Sequence, residues 1–367
     1  MKRHFGLVVI ALAIGCGTEA LDTGETEQGL TKHCPDPDNC TVTNGGGVYT
    51  EELGDASIGP NDFMITHFIN VSGGGVTLEG RGIDTTHPTY YKTQPGTVYY
   101  ARYNGGPMRQ VLSVSETGTL PTFKLATPNG PNFVTGADLL HLQLVLSFGG
   151  KLWSITFWNR WQEPGIAGNP NVTLQKFDMR WEEGELATAN AQPYCRRAPI
   201  NNSDPDAVVF EQGIKVNPVT AIMAQDDSYV TLSCRHGAVA MVRWWGYVYN
   251  GGPNQTEMFE AAMHMKRASY CGDDSFYTRA NTDIMIRDTA GNLHDTLSPT
   301  DFEARWGRPA NGGPIRALCV NMAHRRHPAA LYPPVTGDLF TGTCENGPTI
   351  PACADGAFAP LADQLSP

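Results

Sequence analysis

Residues 138–161, DLLHLQLVLSFGGKLWSITFWNRW, decide the fold class. Leu140, Leu142, Leu144, Leu146 and Phe148 alternate with His141, Gln143 and Ser147 up to the Gly149-Gly150 step. The return run sets Trp153, Ile155 and Phe157 on one side and Ser154 and Thr156 on the other. Successive strand side chains point to opposite faces, so a period of two on both sides of a two-glycine turn predicts a β-hairpin with one buried face. Trp158 and Trp161 step partly outside the alternation. They either cover the edge of the sheet or line a ligand surface.

Outward from the hairpin, the chain reads as more of the same. Strand-like runs at 48–52, 63–71, 76–79, 97–103, 110–115 and 123–126 are broken at short intervals by Gly-Gly and Pro-Gly steps. After Cys195 a Pro/Asn/Asp-rich joint at 196–206 marks a boundary, and 208–216, 229–234 and 238–249 again read as strands. Two stretches read as helical. The better one takes Thr256 as N-cap and Glu257 in its first turn and carries Phe259, Ala262, Met263 and Lys266 toward Cys271; a shorter one follows Pro299 through Phe302, Ala304 and Trp306. The expected fold is mainly β: two β-rich units, residues 45–195 and 207–353, the second with one principal helix, cross-linked by disulfides, with 354–367 as a tail.

The N-terminus supplies an address. Lys2, Arg3 and His4 precede an apolar run ending at Gly15-Cys16, the pattern of a secretory signal. The run is about half of the ~20 apolar residues a spanning helix needs. Leu12-Ala13-Ile14-Gly15-Cys16 has the shape of a bacterial lipobox, so residues 1–16 are expected to be a lipoprotein signal ending at a lipidated Cys16. Several acyl chains on one cysteine would anchor durably, at about 0.8 kcal/mol per buried methylene. Gly17 rather than an aspartate follows, which favours an outer-membrane destination. Residues 17–44 open with a polar, acidic run and read as a flexible tether.

Composition agrees with export. The chain has 26 Lys+Arg against 37 Asp+Glu, a formal net charge of −11. No basic stripe tracks a phosphate backbone, which argues against nucleic-acid binding. Forty glycines and 26 prolines describe a turn-rich protein. Of nine cysteines, Cys16 is assigned to lipid, and the remaining eight, an even number, are expected to pair in an oxidising compartment. Cys34 and Cys40 are close enough to close a small loop, as are Cys344 and Cys353. Cys195, Cys234, Cys271 and Cys319 then allow three pairings. No close Cys/His set suggests a metal, and no cofactor is implied.

Several segments in fixed order resemble the ADYC-domain proteins, extracytoplasmic proteins found largely in myxobacteria and named for an Ala-Asp-Tyr-Cys signature. They are residues 232–240 (LSCRHGAVA), 245–247 (WGY), 265–273 (MKRASYCGD), 282–288 (TDIMIRD), 302–306 (FEARW) and 317–320 (ALCV), with looser matches at 133–137 and 193–195. The resemblance implies an exported, disulfide-bonded protein and no particular chemistry. Ser269 stands where the signature has Asp. Val242 and Ala262 occupy places where members often carry cysteines, which reads as one missing disulfide.

Candidate chemistry is sparse. Ser233 and Ser269 lack a nucleophile elbow, and the Cys271-Gly272-Asp273-Asp274 run has too few carboxylates for a calcium loop. His324 and His327 flank two arginines, a poor site for a dication. The reading is a lipid-anchored cell-envelope protein with a non-catalytic binding or structural role, its partner class, protein or carbohydrate, left open. The alternative is an extracytoplasmic hydrolase acting on a polymer, with Asp273, Asp274 and His264 as the groups that would carry it. Asp273, Asp274 and His264 converging on a cleft would favour the hydrolase, and Trp158 and Trp161 on an open groove the binding module.

Overall fold

The computed structural model describes residues 42–44, 63–82, 89–92, 99–148, 151–165, 173–184, 191–195, 207–216, 223–235, 237–249, 253–272, 277, 282–289, 293, 297–298, 300–325, 340–344, 347–354 and 361–365. In chain order its strands are β1 (Val42–Asn44), β2 (Phe63–Asn70), β3 (Val76–Gly82), β4 (Thr89–Lys92), β5 (Tyr100–Tyr103), β6 (Arg109–Thr117), β7 (Leu120–Leu125) and β8 (Asn132–Thr135). A 3-10 turn, Gly136–His141, leads into β9 (Leu142–Phe148), β10 (Lys151–Pro164), β11 (Thr173–Glu183), β12 (Gln192–Pro193), β13 (Val208–Val216) and β14 (Met223–Cys234). Helices α1 (Ala238–Trp244) and α2 (Pro253–Arg267) follow, then β15 (Thr282–Asp288), β16 (Ala304–Gly307), β17 (Arg316–Val320) and β18 (Leu361–Leu365).

The fold is mainly β, in two sheets. A large sheet runs β4-β3-β2-β14-β13-β11-β10-β9-β5-β6-β7-β8, with β12 paired to β11; a small one runs β1-β15-β18-β16-β17. The hairpin that the alternation predicts is present as β9–β10, Trp153 opposite Leu146 and Ile155 opposite Leu144, but it begins at Leu142: Asp138 to His141 belong to the 3-10 turn, and Leu140 is exposed there. Strands on either side of residues 196–206 share the large sheet, since Phe177 of β11 faces Val208 of β13. The division into two β-rich parts therefore follows the sheets and not that joint.

The inner face of the large, curled sheet is paved with rings. Phe68, Phe123, Phe157, Phe177 and Phe210, from five strands, are fully enclosed and meet at centroid distances of 5.5 to 6.5 Å. Such edge-to-face and offset contacts add to the burial of large apolar area. Asn70 of β2 fastens the curl: its Oδ1 accepts from the Val114 N–H at 2.8 Å and its Nδ2 donates to the Val114 carbonyl at 2.7 Å.

Two element assignments from sequence are corrected. Residues 238–249 are not a strand: 238–244 form α1, whose seven residues are all buried. A helix enclosed on every side shows no amphipathic period, so an apolar run of that length cannot be told from a buried strand. The turn after Pro299 is not a helix but leads into β16. Phe302, Glu303, Ala304 and Trp306 are all buried around a half-buried Arg305, and it is the pairing of 304–307 with β17 and β18 that makes the segment a strand. The principal helix is α2, but it starts at Pro253, a residue pre-set for a first helical position. Thr256 lies inside it and donates its hydroxyl to the Tyr249 carbonyl instead of capping.

Among the described residues, three disulfides join Cys195 to Cys234, Cys271 to Cys344 and Cys319 to Cys353. The expected Cys344–Cys353 loop is thus overturned. The C-terminal segment lies along β17, where the Val320 N–H donates to the Pro351 carbonyl at 3.0 Å and Ala352 pairs in parallel with Val320. That path sets Cys353 beside Cys319. Thr343 pairs with Thr349 across a tight turn, and Cys344 bonds to Cys271 just beyond α2. Cys16, Cys34 and Cys40 lie outside the described residues.

Candidate functional site

The signature segment leaves α2 through a left-handed residue. Ala268 has φ +49°, its N–H donates to the Met265 carbonyl at 3.0 Å, and the Ser269 N–H donates to the His264 carbonyl at 2.9 Å. That pair of bonds is a Schellman ending, here with alanine in the place that usually holds glycine. It throws Tyr270 into the core, stacked on Phe340 at 4.7 Å and on Trp306 at 5.5 Å, its hydroxyl donating to Glu303 Oε1 at 2.5 Å. Cys271 is tied to Cys344, and a side chain at Gly272 (φ +70°) would collide with the Ile315 carbonyl. Ser269, where the signature has Asp, is fully buried. The whole signature is architectural.

His264, the one described member of the proposed hydrolase set, is enclosed in α2. Burial, with Arg267 adding to it, pushes its pKa down to about 3, and its Nδ1 has no hydrogen-bond partner. It is a neutral imidazole with no access to water. Asp273 and Asp274 lie outside the described residues. Asp288 accepts from the Tyr247 hydroxyl at 2.5 Å and from the Leu293 N–H at 3.0 Å, a structural carboxylate. His324 sits on the surface, 3.7 Å from Asp301. Val242 and Ala262 are fully buried on the packed pair α1 and α2.

Two buried charge clusters escape sequence reading because their members are far apart in the chain. Glu163 joins Arg235 (2.9 and 2.7 Å) and Lys176 (2.8 Å). Burial pushes the Glu163 carboxyl up, but Arg235 and Lys176 hold it down at about 2. Arg235 also lies over the Trp244 ring, so this cluster clamps α1 to the sheet. In the second, Glu116 of β6 accepts from the Gln212 N–H at 3.0 Å while Gln212 Oε1 accepts from the Glu116 N–H at 2.8 Å. Beside it, burial raises Glu211 to about 8; Arg243, 3.3 Å away, offsets only part of that cost, and Glu116 adds to it.

Among the described residues, Trp158 is one of three exposed aromatics on the large sheet, with Tyr100 and Phe133, and the one whose ring lies against a guanidinium. Phe157 faces the core, and a bulge between Phe157 and Asn159 inserts Trp158 as the extra residue, which explains the break in the alternation. The residue is 42% exposed. Its Nε1 donates to Thr156 Oγ1 at 2.9 Å and the Arg180 guanidinium lies 4.2 Å from its ring centroid. Arg180 is held by Asp178, with Nε 3.2 Å from each carboxylate oxygen and Nη2 3.0 Å from Oδ2. Thr156 pairs with Arg180, Asn159 with Asp178 and Trp161 with Lys176, so all lie on the convex side, away from Met179 and Phe177. Trp161 is half-buried, next to the Lys176–Glu163 cluster. In the sequence β11 is signalled by the alternation of Phe177, Met179 and Trp181.

Among the described residues, no group of three or more His, Cys, Asp or Glu could hold a metal ion, and no helix is long and apolar enough to cross a membrane. Fold and site define a disulfide-stapled, mainly β protein whose 268–272 turn serves its own core and in which one exposed aromatic, Trp158, is held in place by Arg180 and Thr156. Residues 136–326 match the model of the ADYC domain, just over half of the chain, and the protein belongs to that family. No curated protein and no solved structure matches it.

Proposed function

We propose that this is an exported, lipid-anchored protein of the cell envelope with a binding or structural role, and that it binds through the convex face around Trp158. The observation that carries this reading is the state of that side chain: a large aromatic left in solvent yet fixed by Arg180 and Thr156. Immobilising an anchor before its partner arrives removes an ordering cost from binding. Three disulfides support an oxidising compartment. The enclosure of His264 counts against the hydrolase alternative.

Fractionation of cells making the protein tests both halves. Cys16→Ala should move it from the detergent phase to the aqueous phase. Added back to delipidated envelopes, that soluble form should be retained, and its Trp158→Ala derivative should wash off. Unchanged detergent partitioning would refute the anchor, and equal retention of the two forms would refute the surface.

A further inference from the structure

The geometry points to an uncharged glycan chain, N-acetylated amino sugars included, as the ligand of the Trp158 face; this rests on the reading of that face as a binding surface. Charge excludes the commonest rivals. Arg180 is the cation at the indole, and its fork is already engaged by Asp178. Glu182, two residues along the same side of β11, adds a further carboxylate, and the chain carries a net −11. A polyanion or an anionic lipid headgroup would have to strip Arg180 from Asp178 beside these carboxylates, a like-charge contact that costs binding free energy.

An uncharged ligand must then offer a flat apolar face with polar groups around its rim. A pyranose ring does so: its axial C–H bonds carry slight positive charge and suit the negative face of an indole, and its equatorial hydroxyls point sideways. Asn159, paired with Asp178 across the two strands next to the indole, supplies an amide N–H₂ for those hydroxyls, while its Oδ1 accepts from the Arg160 N–H at 2.8 Å and the Asp178 oxygens accept from Arg180. Trp161, on the same side, lies two to three residue steps further once the bulge is allowed for, roughly 7–10 Å along the strand at ~3.3 Å per residue. That is a reach for linked sugar units more than for a single small molecule. The rigid β10–β11 pair holds both indoles at fixed separation, as recognition of a repeating polymer requires.

The test is calorimetric titration of the detergent-solubilised full chain with N-acetylglucosamine hexamer and with cellohexaose. Dextran sulfate and phosphatidylglycerol vesicles serve as anionic probes. Binding to at least one of the two glycans is expected, insensitive to added salt, and weakened about tenfold or more by Trp158→Ala. Trp158→Phe should keep part of the affinity, and both variants should still unfold in one cooperative step near the parent's midpoint, since the side chain lies outside the core. Salt-sensitive binding to an anionic probe that Trp158→Ala abolishes would overturn the ligand class and leave the surface standing. So would refusal of both glycans by a protein whose envelope retention still depends on Trp158. Glycan binding unchanged by Trp158→Ala would place the ligand elsewhere and overturn the surface as well.

Discussion

At the scale of single residues, the family signature serves packing, and its neighbours show what that costs. Tyr270 spends its ring on Trp306 and Phe340 and its hydroxyl on Glu303, leaving nothing directed at solvent. Enclosing the turn also encloses His264, and His67 is enclosed in the large sheet, its Nε2 accepting from the Val216 N–H at 3.2 Å. Burial drives both imidazoles down to about 3, with Arg267 adding to the effect at His264 and Lys215 at His67. A histidine whose folded pKa lies below its unfolded one contributes stability above about pH 6.5, and that contribution is lost as pH falls toward about 3. Acid should therefore destabilise the protein well before its surface carboxylates titrate. His264→Leu removes one of the two groups along with an unpaired buried nitrogen. Denaturant midpoints measured down to about pH 4 should show a slope shallower by about one proton, close to 1.4 kcal/mol per pH unit. A slope identical to the parent's would mean that His264 is protonated in the folded state.

At the scale of elements, legibility in the sequence tracks how many faces an element buries. β10 buries one face along most of its length, so Trp153, Ile155 and Phe157 announce it; α1 buries every face, so its run of apolar residues gives no period to read. The Trp158 site was half legible for the same reason. The indole breaks the pattern visibly, but the placement of Arg180, held by its strand neighbour Asp178, against that indole depends on a β10–β11 register no local rule supplies. Cysteine pairing fails differently: the short 344–353 spacing suggests a local loop, whereas backbone pairing with β17 carries each sulfur to a distant partner. The consequence is energetic. Cys271–Cys344 spans 73 residues, and chain-entropy closure of such a loop is worth about 4 kcal/mol. The double variant Cys271→Ala with Cys344→Ala should lose about that much in urea denaturation without reductant, and should also loosen Tyr270 and Phe340, read as a weaker near-ultraviolet aromatic signal. A loss under about 1 kcal/mol would mean that ring packing alone holds this turn.

At the scale of the whole molecule, the family match and the folding unit do not coincide. Residues 136–326 contain β9 to β11, β13 and β14 but omit β2, which pairs with β14, and β5, which pairs with β9. They omit β18, which lies between β15 and β16 and so holds the small sheet together. They also omit Cys344 and Cys353, each bonded to a cysteine inside the match. Cutting at these limits would expose two edges of the large sheet, remove the Phe68 and Phe123 rings from its concave core and orphan two thiols. Unpaired strand edges with apolar faces are templates for aggregation. Expressed alone in an oxidising compartment, residues 136–326 should therefore be insoluble or unfold without a cooperative transition, whereas residues 42–365 should melt in one step. The distinction bears on the family as a body: if the shorter piece folded cooperatively, the flanking strands would be accessories to a self-sufficient domain. If it does not, the matched region is the common middle of a larger unit, and each member must bring its own strands to close the sheet.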